Sequence, residues 1–315
     1  MPKRDWQIFR FPKANYSKFA MSSIFAAFLL IVLSPVTAPV LAQESDDFGY
    51  QSAAQAPFGG RYFIHLSENA RVRSSGRPEP GYFDNLVIKL FSKAELQTEI
   101  VAQVPWKRAM ELGARESGHV IYPATRSENR EDQFKWVGPV SRAIWNLYGF
   151  SNKGWSEMSF ENLLAEARIG TLMGSAREAY LRQRGAQYIV AVPREELLLP
   201  MMLADRVDLI AIGGNILRHY IDAAKDQDGN QGVPDIDGAV PYRSCYLYIA
   251  VSGDVPDEDI SRLQTVLDGF KTNGFFVKNR AAHGLSTNVE GSFLSAMLNL
   301  DNNGVSCVDL DGIGP

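Results

Sequence analysis

The amino-acid sequence predicts an α/β protein of two lobes, and three observations indicate this class. Apolar runs typical of buried strands alternate with amphipathic helical patterns between residues 61 and 270, which favours a mostly parallel sheet. About 270 residues follow a leader-like N-terminus, which is long enough for two lobes with separate cores. Apolar strands expected at 143–150 and 242–251 would carry the chain out of the first lobe and back into it.

The first 42 residues are interpreted as a secretory signal rather than as part of the fold. Basic residues precede an apolar core at 24–33, which is too short to span a bilayer comfortably. Val40, Leu41 and Ala42 form a small-residue cleavage site, so we expect cleavage after Ala42 and a periplasmic location. An uncleaved anchor is the alternative. The small and polar segment 43–57 is predicted to be a flexible leader.

Charge and motif content exclude several classes of function. The chain has a formal net charge of −4, and removal of the basic leader would make it more negative, so nucleic acid is not an expected partner. The four histidines lack metal-ligand spacing, and the calcium-like loop at 226–237 lacks the glycine and glutamate that such a loop needs. We therefore predict no metal site and no cofactor.

In the first lobe the residue pattern predicts a strand, a loop, a helix and a second strand, at 61–66, 67–80, 81–96 and 99–104. Apolar residues at helical spacing predict the next helix at 106–116, which Gly118 ends, and HVIYPA that follows is typical of a buried strand. Ser127 then stands where a helix would begin, with Arg130 in its first turn.

The expected position of Arg130 suggests that it holds an anion. The helix dipole disfavours a cation at a helix N-terminus, so an arginine placed there calls for a negative group that offsets the cost. The alternative is a surface arginine paired with Glu128 or Glu131. The residues alone leave these two interpretations open.

The stretch around Arg130 contains several short motifs in a fixed order. They are Pro105-Trp106-x-Arg108-Ala109, then Thr125-x-Ser127-x-x-Arg130, then Trp136 followed by Gly138-Pro139. In this order the motifs resemble family 3 periplasmic solute-binding proteins, which supply polar amino acids and similar solutes to ABC importers. A weaker resemblance runs from about Gly59 to about Gly274.

The resemblance implies a periplasmic binding protein type II fold, with two mixed sheets flanked by helices and two crossover strands that act as a hinge. We assign lobe 1 to 58–141 and 244–300, lobe 2 to 142–243, and a C-terminal tail to 301–315. In lobe 2 helices and strands should alternate at 160–167, 168–173, 175–185, 187–192, 195–204, 207–212 and 216–224. A last helix is expected at 258–270, with irregular chain after Gly274.

The resemblance also implies a ligand site in the cleft between the lobes. Arg130 would clamp a carboxylate, with Thr125 and Ser175 as hydrogen-bond donors and Trp106 as an apolar wall. Ser175 also begins a capping box with Glu178, so its role could be that of an ordinary helix cap. Two further candidates are Glu68, near a bound ammonium, and Tyr122, a weaker candidate for the lining.

Two residues depart from the family pattern. Gly213 stands where an aspartate usually holds the α-ammonium of an amino acid, and Gly118 replaces another aspartate. The expected function is capture of a small polar carboxylate-bearing solute by a monomer that delivers it to an ABC permease without catalysis. The alternatives are an enzyme on the same fold, such as a cyclohexadienyl dehydratase with Glu68 as acid or base, and a solute sensor for a membrane receptor.

The sequence contains two cysteines, Cys245 and Cys307. Two thiols in an oxidising compartment suggest one disulfide, and neither has metal-ligand spacing. This bond would attach the tail to the returning hinge strand.

Overall fold

The computed structural model describes residues 58–66, 71–72, 78–101, 104–227, 235–286 and 306–310. The predicted signal, the leader and Glu68 lie outside these residues. Among the helices within them, none combines the length and the apolar character needed to cross a membrane.

Lobe 1 is built on parallel strands that alternate with helices, as the residue pattern predicts. Strand β1 lies between β4 and β5 and runs parallel to both. Helix α1 packs on one face of this sheet through Leu90 and Phe91, and α2 packs on the other through Ala109 and Met110. The elements are β1 (Arg61–His65), β2 (Arg71–Val72), β3 (Pro78–Glu79), α1 (Tyr82–Lys93), β4 (Gln97–Val101), α2 (Trp106–Arg115) and β5 (His119–Thr125).

Two long antiparallel strands, β6 (Phe134–Phe150) and β10 (Ile236–Ser252), connect the lobes. Toward lobe 1, β10 pairs with β5 at Leu247 and Thr125. Toward lobe 2, β6 pairs with β9 (Leu209–Gly213) at Trp145 and Gly213. Because both long strands belong to both lobes, the two mixed sheets join in one nine-stranded sheet. Eight strands follow the order β4-β1-β5-β10-β6-β9-β7-β8, where β7 is Arg168–Leu172 and β8 is Tyr188–Val192, and the ninth, β11 (Cys307–Asp309), pairs with β10. The predicted fold class is confirmed, and the lobe boundaries at 142 and 243 stay a prediction.

Lobe 2 repeats the alternation of strands and helices. Strand β7 lies between β8 and β9 and runs parallel to both. Helices α3 and α4 cover one face of the sheet with Leu163 and Leu181, and α5 and α6 cover the other with Leu198 and Leu217. The elements are α3 (Phe160–Glu166), β7 (Arg168–Leu172), α4 (Ala176–Gln183), β8 (Tyr188–Val192), α5 (Leu198–Leu203), β9 (Leu209–Gly213) and α6 (Gly214–Gln227).

The chain after the hinge is more regular than the sequence predicts. Helix α7 (Asp257–Thr272) is followed by α8 (Phe275–Ala282) and by β11 (Cys307–Asp309), so the expectation of irregular chain after Gly274 is wrong. Tertiary contacts fix α8, because Phe276 is buried in the lobe 1 core and Asn279 bonds Asn85 and the Tyr82 carbonyl. The predicted disulfide between Cys245 and Cys307 is present.

Two buried histidines lie side by side in lobe 1, on β1 and at the start of β5. His65 Nε2 is 2.7 Å from His119 Nδ1, and His119 Nε2 is 3.4 Å from Glu116 Oε2. Burial, and then the neighbouring His119, lowers the pKa of His65 to about 4. Burial also lowers the pKa of His119, although Glu116 and Asp254 oppose this shift. Both rings are therefore neutral in the folded protein at neutral pH.

We expect the protein to lose stability as the pH falls from 6.5 toward 4, because the unfolded chain then binds protons that buried His65 does not. The shift at His65 alone corresponds to roughly 3 kcal/mol of the free energy of unfolding. Urea titrations at pH values between 6.5 and 4 should show this loss of unfolding free energy. In His65→Phe the unfolding free energy should depend less steeply on pH. His219→Phe, at an exposed position, is the matched control and should keep the wild-type slope. Equal slopes in wild type and His65→Phe would contradict the assignment.

Candidate functional site

The candidate site lies where three segments of the two lobes meet. One is residues 125–130, which begin at the last residue of β5 and are called the arginine turn below. The second is the N-terminal end of α2, at Trp106 and Lys107. The third is the turn at Gly174, which connects β7 to α4 in lobe 2. Arg130 and Lys107 of lobe 1 both approach Gly174, so these segments are in contact across the lobes.

Arg130 is buried between the lobes, with 9% of its surface exposed. Its Nη1 donates to the Thr125 carbonyl at 3.2 Å and its Nη2 donates to the Gly174 carbonyl at 2.9 Å. Among the described residues it forms no ion pair, because the adjacent Glu131 is bound in a bidentate pair to Arg126 at 2.8 Å. Burial lowers the pKa of Arg130 to about 10. The guanidinium is thus a desolvated cation whose acceptors are neutral carbonyls.

The local structure around Arg130 differs from the prediction. Residues Glu128–Arg130 form a single 3-10 turn, and Ser127 bonds Asn129 instead of capping a helix. The chain enters β6 at Phe134, which leaves no room for a longer helix. The dipole argument for an anion is therefore wrong, and so is the alternative of a surface pair with Glu128 or Glu131. Burial without a counter-charge is the physical reason to expect an anion here.

Ser175 begins α4, as its capping box predicts. Its Oγ accepts a hydrogen bond from the Glu178 N–H at 3.1 Å, and the Glu178 carboxylate accepts from the Gly174 N–H at 2.7 Å. The capping role is confirmed. Because Oγ serves as an acceptor, its O–H is the group that a solute could use, and this second role of Ser175 stays a prediction.

The remaining predicted site residues fall into three groups. Thr125 is buried and its carbonyl lies against Arg130, and Trp106 is half-buried beside the α2 core, so both belong to the segments that meet. Glu68 lies outside the described residues. Tyr122 is a correction: its side chain is 2% exposed, faces α1 and donates to Asp84 at 3.0 Å. Strand alternation directs it into the lobe 1 core, where a solute has no access.

Gly174 is a contact residue that sequence reasoning missed. It adopts φ +71°, and a Cβ built on it would lie 3.0 Å from Cβ and Cγ of Lys107. Its backbone therefore fits directly against α2 of the other lobe, while its carbonyl accepts from Arg130. The only signal in the sequence is a glycine one residue before a helix cap, and this does not indicate a contact between lobes.

Replacing Gly174 by alanine should shift the protein toward a more open arrangement of the lobes, because the added methyl group presses on Lys107. Small-angle X-ray scattering should show a larger radius of gyration than in wild type. Gly154→Ala is a matched control, since Gly154 has the same φ of +71° and nothing within 4 Å of a built Cβ. Both variants carry similar backbone strain. A larger radius of gyration in both variants, or in neither, would therefore contradict the contact between Gly174 and Lys107.

Gly213, where the resemblance implies an aspartate, carries no charged side chain. A Cβ on Gly213 would make only ordinary contact, at 3.5 Å from Ile216, so the position could hold a side chain. The next residue, Gly214, has the Tyr148 hydroxyl at 2.6 Å from a built Cβ, and Asn146 donates to that hydroxyl at 3.2 Å. Within the described part of the chain, no group of three His, Cys, Asp or Glu is placed to hold a metal.

Comparison with known proteins gives matches among solved structures only. No family model and no curated protein matches the sequence. A mutant of ArgBP from T. maritima superposes with a TM-score of 0.59 at 13% identity, over 71% of this chain and 95% of that one. A histidine kinase sensor domain with similarity to periplasmic binding proteins gives a TM-score of 0.58 at 14% identity, over 72% and 96%.

The chain has the periplasmic binding protein fold. The resemblance predicted from the motifs is confirmed at this level. A third structure is the ancestral amino acid-binding protein AncCDT-1, a precursor of cyclohexadienyl dehydratase, with a TM-score of 0.55 at 14% identity, over 71% of this chain and 95% of that one. The periplasmic binding protein fold thus occurs in a binder, a sensor domain and the precursor of an enzyme. At these identities the likeness concerns the fold alone.

Proposed function

We propose that this protein binds a small polar solute that carries a carboxylate, and that Arg130 holds the carboxylate between the two lobes. The observation that carries the proposal is the environment of Arg130. Its guanidinium is buried and donates to two backbone carbonyls, and no acidic partner is present among the described residues. A carboxylate supplies the negative charge that such a site lacks, and a planar guanidinium binds it in a bidentate pair.

In the proposed complex each neighbouring residue has a defined role. The carboxylate replaces the Gly174 carbonyl as the acceptor for Nη2 of Arg130, so solute binding exchanges one inter-lobe bond for a bridging anion. Thr125 and Ser175 donate hydrogen bonds from lobe 1 and lobe 2 respectively. Trp106 provides an apolar wall at the start of α2. Because these residues belong to both lobes, closure around the solute follows as a hinge motion about β6 and β10.

The neutral surface at Gly213 and Gly214 bears on the class of solute. Without a carboxylate at that place, a free α-ammonium gains no ion pair there, so we propose that the solute is an organic acid or an amino acid bound without strong dependence on its amine. Glu68 lies outside the described residues and is the residue most able to replace the missing aspartate.

We further propose that the protein acts in the periplasm as a monomer that delivers its solute to an ABC permease, without chemical turnover. The proposed lobes, 58–141 with 244–300 and 142–243, close on the solute, and the closed form docks on the transporter. Two alternatives to this function are a solute sensor and an enzyme, because a sensor domain and a dehydratase precursor share the fold. Incubation of the protein with prephenate, followed by product analysis, tests whether it is an enzyme. We expect no product, and turnover that disappears in Glu68→Gln would overturn the proposal of binding without catalysis.

Calorimetry with paired solutes tests the proposed solute class. L-glutamine and its deaminated analogue glutaramate differ only in the α-amine, and glutaramide lacks the carboxylate as well. We expect loss of the carboxylate to abolish binding, and loss of the amine to cost less than about 2 kcal/mol, the scale of a charged hydrogen bond. L-arginine and deaminated arginine form a second pair. Binding of glutaramide as strongly as glutaramate would contradict the carboxylate site.

A further inference from the structure

A short C-terminal segment runs along the hinge. Residues 306–310, called the C-terminal strap below, contain β11, which pairs with β10 in an antiparallel register that sets Cys307 opposite Cys245. Backbone hydrogen bonds flank β11 on both sides: the Tyr246 N–H donates to the Ser306 carbonyl, and the Leu310 N–H donates to the Tyr242 carbonyl. The strap therefore adds a third strand to the two hinge strands, at the level of the crossover.

The strap contacts both lobes. At its start the Ser306 hydroxyl donates to the carbonyl of Arg126, which is the residue after Thr125 in the arginine turn. At its end Asp309 lies 2.9 Å from the guanidinium of Arg243 and 3.7 Å from that of Arg184, the residue that follows α4 in lobe 2. One element thus joins the turn that carries Arg130 to a helix of the opposite lobe.

Polar bonds and the disulfide, rather than apolar burial, hold the strap in place. Its strand is three residues long, and Val308 at its centre is 60% exposed. Cys307 is the exception, since its side chain lies with Cys245 in the lobe 2 core. Ser306 is the immediate neighbour of Cys307, so the covalent bond fixes the position of the hydroxyl that reaches the arginine turn.

We propose that the C-terminal strap positions the arginine turn: the Cys245–Cys307 disulfide holds Ser306 against Arg126 and so keeps Thr125 and Arg130 in place. Ser306 is a positioning residue, which acts through the turn and not by contact with a solute. Only the effect of this positioning on solute binding rests on the proposed function. The positioning itself concerns the solute-free protein and is tested without any solute.

Hydrogen exchange of the turn amides tests the proposal on the solute-free full chain. The N–H groups of Arg130, Glu131 and Gln133 donate to carbonyls of the turn, at Ser127, Glu128 and Arg130 respectively, so their exchange reports its opening. Loss of one hydrogen bond shifts an opening equilibrium by about fivefold to tenfold. We expect Ser306→Ala to accelerate these amides by that factor and Ser306→Thr, which keeps the hydroxyl, to restore them. Ser261→Ala, at an exposed position on α7, should leave them unchanged.

Reduction provides a second arm. Dithiothreitol transfers two electrons and two protons to the disulfide, which yields two cysteine thiols and the cyclic disulfide of the reagent. The reduced protein should show the accelerated turn amides, while amides of α7 keep their rates. Unchanged turn amides in both Ser306→Ala and the reduced protein would overturn the proposal. Accelerated amides together with no binding of glutaramate or glutamine would leave the positioning role intact and reject the proposed solute.

Discussion

Replacing Arg130 by methionine is expected to weaken binding of a carboxylate solute by about 2–5 kcal/mol, the range for a desolvated charge pair that loses one partner. Methionine keeps much of the apolar stem but removes every donor, including those to Thr125 and Gly174. The fold should survive, because the variant also removes a buried cation that has no acidic partner among the described residues. Calorimetry with glutaramate and L-glutamine measures the loss.

Two further variants define the cause of that loss. Arg130→Lys keeps the charge but cannot form the parallel pair, so it should recover only part of the affinity. Arg206→Met is the matched control, since Arg206 is exposed in lobe 2 and its removal should leave affinity unchanged. If Arg130→Met binds as tightly as wild type, Arg130 is an inter-lobe contact and not a carboxylate site.

Removing the disulfide is expected to lower the free energy of unfolding by about 4 kcal/mol, because the bond closes a loop whose ends are 62 residues apart in sequence. The loss arises from the greater conformational freedom of the unfolded chain. Urea unfolding of Cys245→Ala/Cys307→Ala against wild type measures it, and unfolding of wild type with dithiothreitol should reproduce the value. A change below about 1 kcal/mol would contradict the chain-entropy account.

The sequence predicts the elements of this fold well where a local pattern determines them. The apolar run before Thr125 forms β5, and the capping box at Ser175 begins α4, because both depend on neighbours within a few residues. The pairing of Cys245 with Cys307 could also be predicted, since only two cysteines are present. The long hinge strands could be predicted only in part, because their full length depends on partners far away in the chain.

Features that depend on tertiary contacts could not be predicted. The motif around Arg130 suggests a helix, yet the entry of the chain into β6 permits only a 3-10 turn. Tyr122 is an aromatic residue at the end of an apolar run, a type of residue that often lines a binding site. Strand alternation and the hydrogen bond to Asp84 nevertheless place its side chain in the core. The contact of Gly174 with Lys107 joins two lobes, and no local pattern encodes which helix will face a given turn.

Native mass spectrometry of protein purified under gentle conditions can show whether Arg130 holds the carboxylate of a solute. We expect a small carboxylate-bearing molecule on the wild type, which leaves on denaturation and can then be identified, and no such molecule on Arg130→Met prepared in parallel. A bound molecule without a carboxylate, or equal occupancy of wild type and Arg130→Met by the same acid, would show that Arg130 is not the carboxylate site.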